Sequence, residues 1–220
     1  MNHHDSEMTR LKERLLTMAG LAEAATTLAM KSLAERDDVA ANRVRKDDSQ
    51  LDQMEKEVDR VCLRLLTTAP LATDLRWIVV AMKISWELER VGDEATTISR
   101  QVLELNSMAP LKQVADVVAL ARHVMVLLHD VVDTVVRLDH AGARQLIPKD
   151  KEIDALNRSI QKELAGYMVH HPDSVPRCIG LMTISKALER IGDHAKSIAE
   201  EVVFVCEGTD IRHSGGSSRA

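Results

Sequence analysis

Apolar residues recur at alternating spacings of three and four along most of this chain. The runs in its first half are Leu11, Leu15, Met18, Ala22, Ala25 and Ala29; Leu51, Met54, Val58, Val61 and Leu65; and Ile84, Leu88, Val91, Ala95, Ile98, Val102 and Leu105. Residues at these spacings share one face of an α-helix, which must pack against a neighbour. The first half therefore predicts three long helices, each with one apolar face.

The second half of the chain shows the same order of runs. They are Val117, Ala121, Val124, Leu128, Val131 and Val135; Ile153, Leu156 and Ile160; and a last run that reaches Val205. Predicted breaks between helices fall near Asp37-Asp38, Pro70, Pro110, Gly142 and His171-Pro172. Pro148 predicts a kink or a late helix start, because proline disturbs a helix interior. The pattern as a whole predicts six long helices.

The two halves also match residue by residue. At an offset of 100, the segment from Met82 to Val102 matches the segment from Met182 to Val202, and Asp48 to Val58 matches Asp150 to Ile160 at an offset of 102. Such a repeat indicates duplication of one structural unit. The prediction is an all-α fold of two tandem, pseudo-symmetric three-helix bundles, with repeats at 1–107 and 108–208 and a flexible tail at 209–220.

Composition narrows the fold class and the function. Only four of the 220 residues are aromatic, which disfavours a β-rich fold. The net charge of −5 offers no positive field for nucleic acid. The longest apolar stretch, from Trp77 to Met82, is far shorter than the ~20 residues of a membrane span. The polar N-terminus lacks the pattern of a secretion signal, so we expect a soluble, cytoplasmic protein.

The three cysteines, Cys62, Cys178 and Cys206, are far apart and form no CxxC motif. This arrangement predicts buried, reduced thiols, and it argues against both a disulfide framework and a zinc site. No nucleophilic triad, phosphate-binding glycine loop or Cys-His arrangement occurs in the sequence. Chemistry, if the protein has any, must come from other residues.

Four pairs of carboxylates stand at i and i+4 in matching places of the two halves. They are Asp48 and Asp52, Glu89 and Asp93, Asp150 and Asp154, and Glu189 and Asp193. Like charges at this helical spacing repel each other, so each pair needs a compensating cation or a nearby basic side chain. If neighbouring helices bring two pairs together, the oxygen ligands suit Mg²⁺, Mn²⁺, Ca²⁺ or iron. The Glu-x-x-His signature of ferritin-type iron sites is absent, although His194 could add one nitrogen.

A second interpretation of these pairs is a solvated acidic face neutralised by basic neighbours. The candidate partners are Arg90, Arg190, Lys56 and Lys151. Gly92 and Gly192 favour a more specific role, because a glycine inside a helix costs ~1 kcal/mol and indicates close approach of a neighbouring helix or ligand. The stripe through Leu75, Val79, Met82 and Trp86, if exposed, would be a surface for a partner or a second copy.

Taken together, these motifs resemble the PhoU family. The resemblance lies in Glu89 to Asp93, Glu189 to His194, the Ala72-Thr-Asp-Leu-Arg76 helix opening, the Asp48/Asp52 and Asp150/Asp154 pairs, and the ending from Val202 to His213. It implies two three-helix bundles whose E/D-x-x-x-D motifs bind multinuclear metal clusters, here Mg, Mn or Fe. Membership would make the protein a non-enzymatic negative regulator of the phosphate regulon. It would connect the ATPase subunit of the phosphate-specific ABC importer to a sensor histidine kinase, reach the membrane only through these partners, and form a homodimer.

Two features depart from the family pattern, and two other functions stay open. Asn157 and Gln161 replace the acidic Glu55 and Asp59 of the first half, which makes the second metal site less secure. Ser174 to Arg177 replaces the Asp-Leu-Arg opening of the matching helix. The alternatives are a metal-dependent hydrolase of phosphate esters, which uses two cations on such a cluster, and a purely structural helical dimer.

Overall fold

The computed structural model describes residues 3–67 and 71–212, and these residues form helices with no strand among them. The helices are α1 (His3–Glu35), α2 (Asp38–Asp47), α3 (Ser49–Leu66), α4 (Ala72–Asn106), α5 (Val114–Arg137), α6 (His140–Leu146), α7 (Asp150–His170) and α8 (Val175–Glu207). The predicted all-α fold is confirmed. The break predicted at Pro70 lies outside the described residues.

Two of the six predicted helices are each divided into two segments. α2 meets α3 at Asp48, whose backbone keeps helical dihedral angles (φ −49°, ψ −46°), so the two segments follow one another closely. α6 leads into α7 through a 3₁₀ turn at Ile147–Lys149, which confirms the disturbance predicted at Pro148. The break predicted near Gly142 lies a few residues earlier, between the end of α5 at Arg137 and the start of α6 at His140, and Gly142 itself lies inside α6. The chain turns instead at Leu138 (φ 51°), and the Asp139 carboxylate caps α6 by accepting from the Gly142 N–H.

The core lies along two central helices, α4 and α8, which pack against each other and carry one bundle each. α1, α2 and α3 pack on α4, whereas α5, α6 and α7 pack on α8, and α1 also contacts α5. The predicted apolar run of α4, from Ile84 to Leu105, is buried throughout, as is the run of α5 from Val117 to Val135. Burial of these faces is the main stabilising contribution to such a bundle. It also aligns α3 with α4, and α7 with α8, along their lengths.

The apolar face of α7 differs from the prediction. Leu156 is 37% exposed, whereas Asn157, the next residue, is only 6% exposed. Asn157 can be buried because its side-chain oxygen accepts hydrogen bonds from the Ser185 hydroxyl (2.6 Å) and the Gln161 amide (3.3 Å). A buried polar group that is hydrogen-bonded carries little penalty. The face of α7 therefore runs through Ile153, Asn157 and Ile160.

The cysteines and the C-terminal segment also refine the sequence prediction. Cys62 and Cys178 are buried as predicted, but Cys206 is exposed, so its prediction as a buried residue is wrong.

Residues 209–212 leave α8 and are held by Arg212, whose guanidinium contacts Glu201 (3.0 Å) and Asp210 (2.6 Å). The rest of the predicted tail, 213–220, lies outside the described residues. Within the ranges that the structure describes, no helix combines the length and apolar character that a membrane crossing requires.

Candidate metal centres

The first acidic cluster lies where the junction of α2 and α3 faces α4. We call Asp48, Asp52, Glu89 and Asp93 the first carboxylate site. Thr96 of α4 donates its hydroxyl to Asp48 Oδ1 (2.9 Å), which joins the two helices at this point. Burial raises the pKa of Asp48, and the charges of Asp93 and Asp52 raise it further. Two pairs that are about 40 residues apart in sequence therefore act on one another electrostatically, as the helical spacing predicted.

Glu89 is the carboxylate whose protonation is most perturbed in this site. Burial raises its pKa to about 7, and the negative charges of Asp93, Glu55 and Asp52 add to the effect. Arg90, at the rim of the site, lowers the pKa of Glu89. Its guanidinium lies 2.9 Å from Asp93 Oδ2 and 3.5 Å from Glu89 Oε2. Arg100 also acts on Asp48 through its charge, and two arginines do not neutralise four carboxylates. The site therefore keeps a net negative charge, which a further cation would offset.

The second acidic cluster is the pseudo-symmetric counterpart, formed by the start of α7 and the middle of α8. We call Asp150, Asp154, Glu189 and Asp193 the second carboxylate site. Asp150, Asp154 and Asp193 each offer a carboxylate oxygen, and these oxygens lie within 4.8 Å of one another. Burial raises the pKa of Asp193, and the charges of Asp150, Glu189 and Asp154 contribute. Three convergent carboxylates form the ligand arrangement that a hard cation prefers.

Asp150 gives the strongest indication that a cation belongs here. It is 3% exposed, and its Oδ2 accepts a hydrogen bond from Lys196 Nζ (3.0 Å). Its Oδ1 is buried and makes no hydrogen bond to any of the described residues. An unpartnered buried carboxylate oxygen is costly, because it has lost water without gaining a donor. A metal ion beside Asp154 and Asp193 would satisfy that oxygen.

The remaining neighbours of the second site point away from it or sit at its rim. Lys186 pairs with Glu189, and Arg158 lies 3.8 Å from Asp154 at the surface. Arg190, which was predicted to neutralise the acidic face, instead reaches α4 and pairs with Glu94 (3.2 Å). His194 likewise turns its Nδ1 to Glu87 of α4 (2.6 Å), so this ring atom is engaged away from the carboxylates.

The two helix glycines explain how the carboxylate pairs approach each other. A Cβ atom on Gly192 would lie 3.1 Å from Ile153 Cδ1, and one on Gly92 would overlap the side chain of Leu51. Leu51 and Ile153 are equivalent residues of the repeat, one turn from Asp48 and Asp150. The close approach that the glycines predicted is confirmed. It brings α3 against α4, and α7 against α8, beside the acidic side chains.

Sequence analysis missed the side chains that bind Asp48, which is half-buried, and Asp150, which is buried. Thr96 and Lys196 occupy equivalent positions, three residues after Asp93 and Asp193, so the repeat itself contained the signal. As oxygen-only clusters, both sites fit the predicted Mg²⁺, Mn²⁺ or iron better than zinc.

Of the eight predicted ligands, Asp150, Asp154 and Asp193 have carboxylate oxygens that converge on one another. Glu189 pairs with Lys186 instead, and no three carboxylates of the first site converge in this way among the described residues. Metal binding at all eight stays a prediction.

Glu89 gives the metal-free protein a specific dependence on pH. Its folded pKa of about 7 lies above the usual value of 4.5, so the folded state binds this proton more tightly than the unfolded state does. The stabilisation from Glu89 is therefore complete below about pH 4.5 and is lost as the pH rises through about 7. Thermal melts of chelator-treated protein should show a lower Tm at pH 8 than at pH 6, and Glu89→Gln should reduce this difference. An unchanged difference in the variant would contradict the assignment.

Comparison with known proteins relates the chain to one group. Residues 15–102 and 117–202 each match the family model described as PhoU domain. A phosphate-specific transport system accessory protein PhoU homolog of Pseudomonas putida is 36% identical over 223 residues, which covers 98% of this chain and 87% of that protein. The phosphate-specific transport system accessory protein PhoU of Escherichia coli is 32% identical, covering 96% and 88%.

Two solved structures share the fold. The crystal structure of PhoU from Pseudomonas aeruginosa superposes with a TM-score of 0.91 at 32% identity, covering 93% of this chain and 99% of that one. The phosphate transport system regulatory protein PhoU from Streptococcus pneumoniae gives a TM-score of 0.88 at 25% identity, covering 95% and 99%.

Proposed function

Because the chain belongs to the PhoU family, we propose that it is a negative regulator of phosphate uptake and of the phosphate regulon. Its curated relatives are accessory proteins of the phosphate-specific transport system. In this proposal the protein works in the cytoplasm and connects the ATPase subunit of the phosphate ABC importer to a sensor histidine kinase. It reaches the membrane only through these partners and carries out no catalytic turnover.

The observation that carries the metal-dependent part of this proposal is the buried Asp150 oxygen that lacks a donor. With Asp154 and Asp193 beside it, the second site offers three carboxylates to one hard cation. The first site has the equivalent residues of the repeat. Burial, followed by the negative charge of Asp93, raises the pKa of Glu89 there to about 7. Bound Mg²⁺, Mn²⁺ or iron would order the acidic surface and could join carboxylates to phosphate oxygens, because these ions bridge the two groups readily.

Exposed apolar residues lie next to the first site on the same helix. Of the predicted stripe, Leu75, Val79 and Trp86 are exposed on the outside of α4, and Leu71, just before the helix, is exposed as well; we call these four the exposed line. Met82, the fourth residue of the predicted stripe, is partly buried and packs on the core. Arg90 sits at the end of this line, with its guanidinium 5.4 Å from the Trp86 ring centre. Exposed apolar side chains on one helix, with an aromatic and an arginine beside them, are typical of a binding surface. We propose that the ATPase subunit docks here.

Substituting Val79 by Asp should weaken the binding of the purified ATPase subunit by at least about tenfold, because it puts a charge inside an apolar contact. Biolayer interferometry with immobilised protein measures this change. Val169→Asp is the matched control, since Val169 is an exposed valine of α7 outside the line. Equal binding by Val79→Asp and wild type would exclude this line as the docking surface. If Val79→Asp instead converted a dimer to a monomer in sedimentation, the line would be assigned to a second copy.

The regulatory proposal is tested by capture from cell lysate with and without chelator. The ATPase subunit and a histidine kinase should be recovered with metal-loaded protein and should be depleted when the chelator is present. Undiminished capture by chelated protein would support a purely structural helical dimer. Release of phosphate from simple esters by the purified Mn²⁺-loaded protein would support the hydrolase.

A further inference from the structure

Asp150 is the residue of the second carboxylate site whose two oxygens have different surroundings. Its Oδ2 accepts a hydrogen bond from Lys196 Nζ (3.0 Å), whereas its Oδ1 makes no hydrogen bond to any of the described residues. The residue is 3% exposed, so solvent does not supply the missing donor. One oxygen of Asp150 is therefore held by the protein, and the other is available to an ion.

The available oxygen lies on the side of α8, where the other carboxylates of the site are found. A Cβ atom on Gly192 would lie 3.8 Å from Asp150 Oδ1, so this oxygen is close to the residue that precedes Asp193. Asp150, Asp154 and Asp193 each offer an oxygen within 4.8 Å of the other two. These distances bring three carboxylates around one position for a hard cation.

Lys196 restrains the orientation of Asp150. It follows Asp193 by three residues on α8, so this helix supplies both a ligand and the donor that holds another ligand. Rotation of the Asp150 carboxylate would break the contact with Lys196 and leave a buried charge without its partner, which is strongly unfavourable. Loss of a hydrogen-bonding group that holds a metal ligand typically costs about 10- to 100-fold in metal affinity.

Two other basic residues lie near the site without contacting its buried ligand. Lys186 pairs with Glu189 and keeps that carboxylate apart from the three that converge. Arg158 lies 3.8 Å from Asp154, and its side chain is 71% exposed. An exposed pair of this kind contributes only about 0 to 1 kcal/mol, because water solvates both groups when they separate. Neither residue can replace Lys196.

We propose that Lys196 is a positioning residue of the second metal centre, which holds Asp150 so that its free oxygen binds the ion. This inference rests on the metal binding proposed above. The hydrogen bond fixes the ligand before the ion arrives, so the site does not have to reorganise on binding. The positive charge of Lys196 opposes the ion, and a test of the hydrogen bond must therefore keep the charge constant.

The test compares two neutral replacements of Lys196 in a parent protein whose first site is disabled by Glu89→Gln and Asp93→Asn. Lys196→Gln keeps a hydrogen-bond donor, Lys196→Met has none, and both remove the same charge. The Kd for Mn²⁺ should be about 10- to 100-fold higher for Lys196→Met than for Lys196→Gln. Loss of the electron paramagnetic resonance signal of free Mn²⁺ during titration measures it. A purely structural role would lower the Tm of the metal-free protein without this difference in Kd.

Arg190→Met in the same parent is the matched control, since Arg190 is a cation of α8 that pairs with Glu94 and not with the site. It should leave the Kd unchanged. Circular dichroism checks that each variant is folded, and Lys196→Ala replaces Lys196→Met if the latter does not fold. Equal Kd values for folded Lys196→Gln and Lys196→Met would overturn the role of Lys196 while leaving the metal site intact. A parent protein that binds no Mn²⁺ would overturn the proposed metal binding at this site instead.

Discussion

Purified protein in which Glu89, Asp93, Asp150 and Asp154 are replaced by their amides should lose nearly all of its bound metal. Each substitution preserves the size of the side chain but removes a negatively charged oxygen from one of the two sites. Loss of groups that only support a metal ligand already costs 10- to 100-fold in affinity, so removal of two ligands per site should cost at least about 100-fold. Elemental analysis of protein dialysed against micromolar Mn²⁺ measures the loss.

The control for this variant neutralises two carboxylates that are exposed elsewhere. Glu104 lies near the end of α4 and Glu163 lies on α7. The double variant Glu104→Gln with Glu163→Gln should keep the wild-type metal content. The fourfold variant should also fail to recover the ATPase subunit, because in this account the bound metal orders the docking surface. Wild-type stoichiometry in the fourfold variant would show that these carboxylates are only a solvated face, with Arg90 and Lys196 as their permanent partners.

Substituting Lys83 by Met should cause a large loss of stability without touching either site. Glu201 of α8 has a side chain that is 5% exposed, and Lys83 of α4 donates to both of its oxygens (3.0 and 3.2 Å). Breaking a buried ion pair costs up to about 5 kcal/mol. We expect about 2 kcal/mol here, because Arg212 still binds Glu201 and Lys83 is partly exposed. The free energy of unfolding, from urea titration, should fall by that amount.

A double substitution separates the ion pair from simple packing. Lys83→Met combined with Glu201→Met should recover most of the lost stability, since replacing both partners by apolar groups removes the uncompensated charge. Arg137→Met breaks an exposed pair with Asp133 and should cost less than about 1 kcal/mol. If Lys83→Met were no more destabilising than Arg137→Met, the contact between Lys83 and Glu201 would have no structural role.

The helices could be predicted because the spacing of apolar residues that identifies each one lies within a single stretch of sequence. A run such as Ile84 to Leu105 identifies a buried face through its spacing alone, and the structure buries every residue of that run. α7 was predicted less well because Asn157 is satisfied by Ser185 of another helix. No spacing rule detects a polar residue whose burial depends on a partner from another helix. Leu156 was assigned to the buried face in its place.

The approach of Asp150, Asp154 and Asp193 to one another was predictable from the sequence, but the charge balance of the sites was not. Repetition of the acidic pairs indicated which residues share a site, because the equivalent helices of the two bundles must pack alike. The partners of Arg190 and Lys83 depend on how α4 packs against α8, and the repeat does not contain that information. Arg190 therefore reaches Glu94 in the other bundle, while Arg90 stays on its own site. The contact of Lys83 with Glu201 spans 118 residues and was missed for the same reason.

Anomalous diffraction from crystals grown with Mn²⁺ tests most directly whether the duplicated carboxylates are metal centres. Strong anomalous peaks should appear between Asp48, Asp52, Glu89 and Asp93, and between Asp150, Asp154 and Asp193, with Arg90 displaced into solvent and Lys196 still bound to Asp150. Crystals from millimolar Mn²⁺ that show no anomalous density at either cluster, with Arg90 still on Asp93, would contradict it. The carboxylates would then be a surface neutralised by the protein's own side chains.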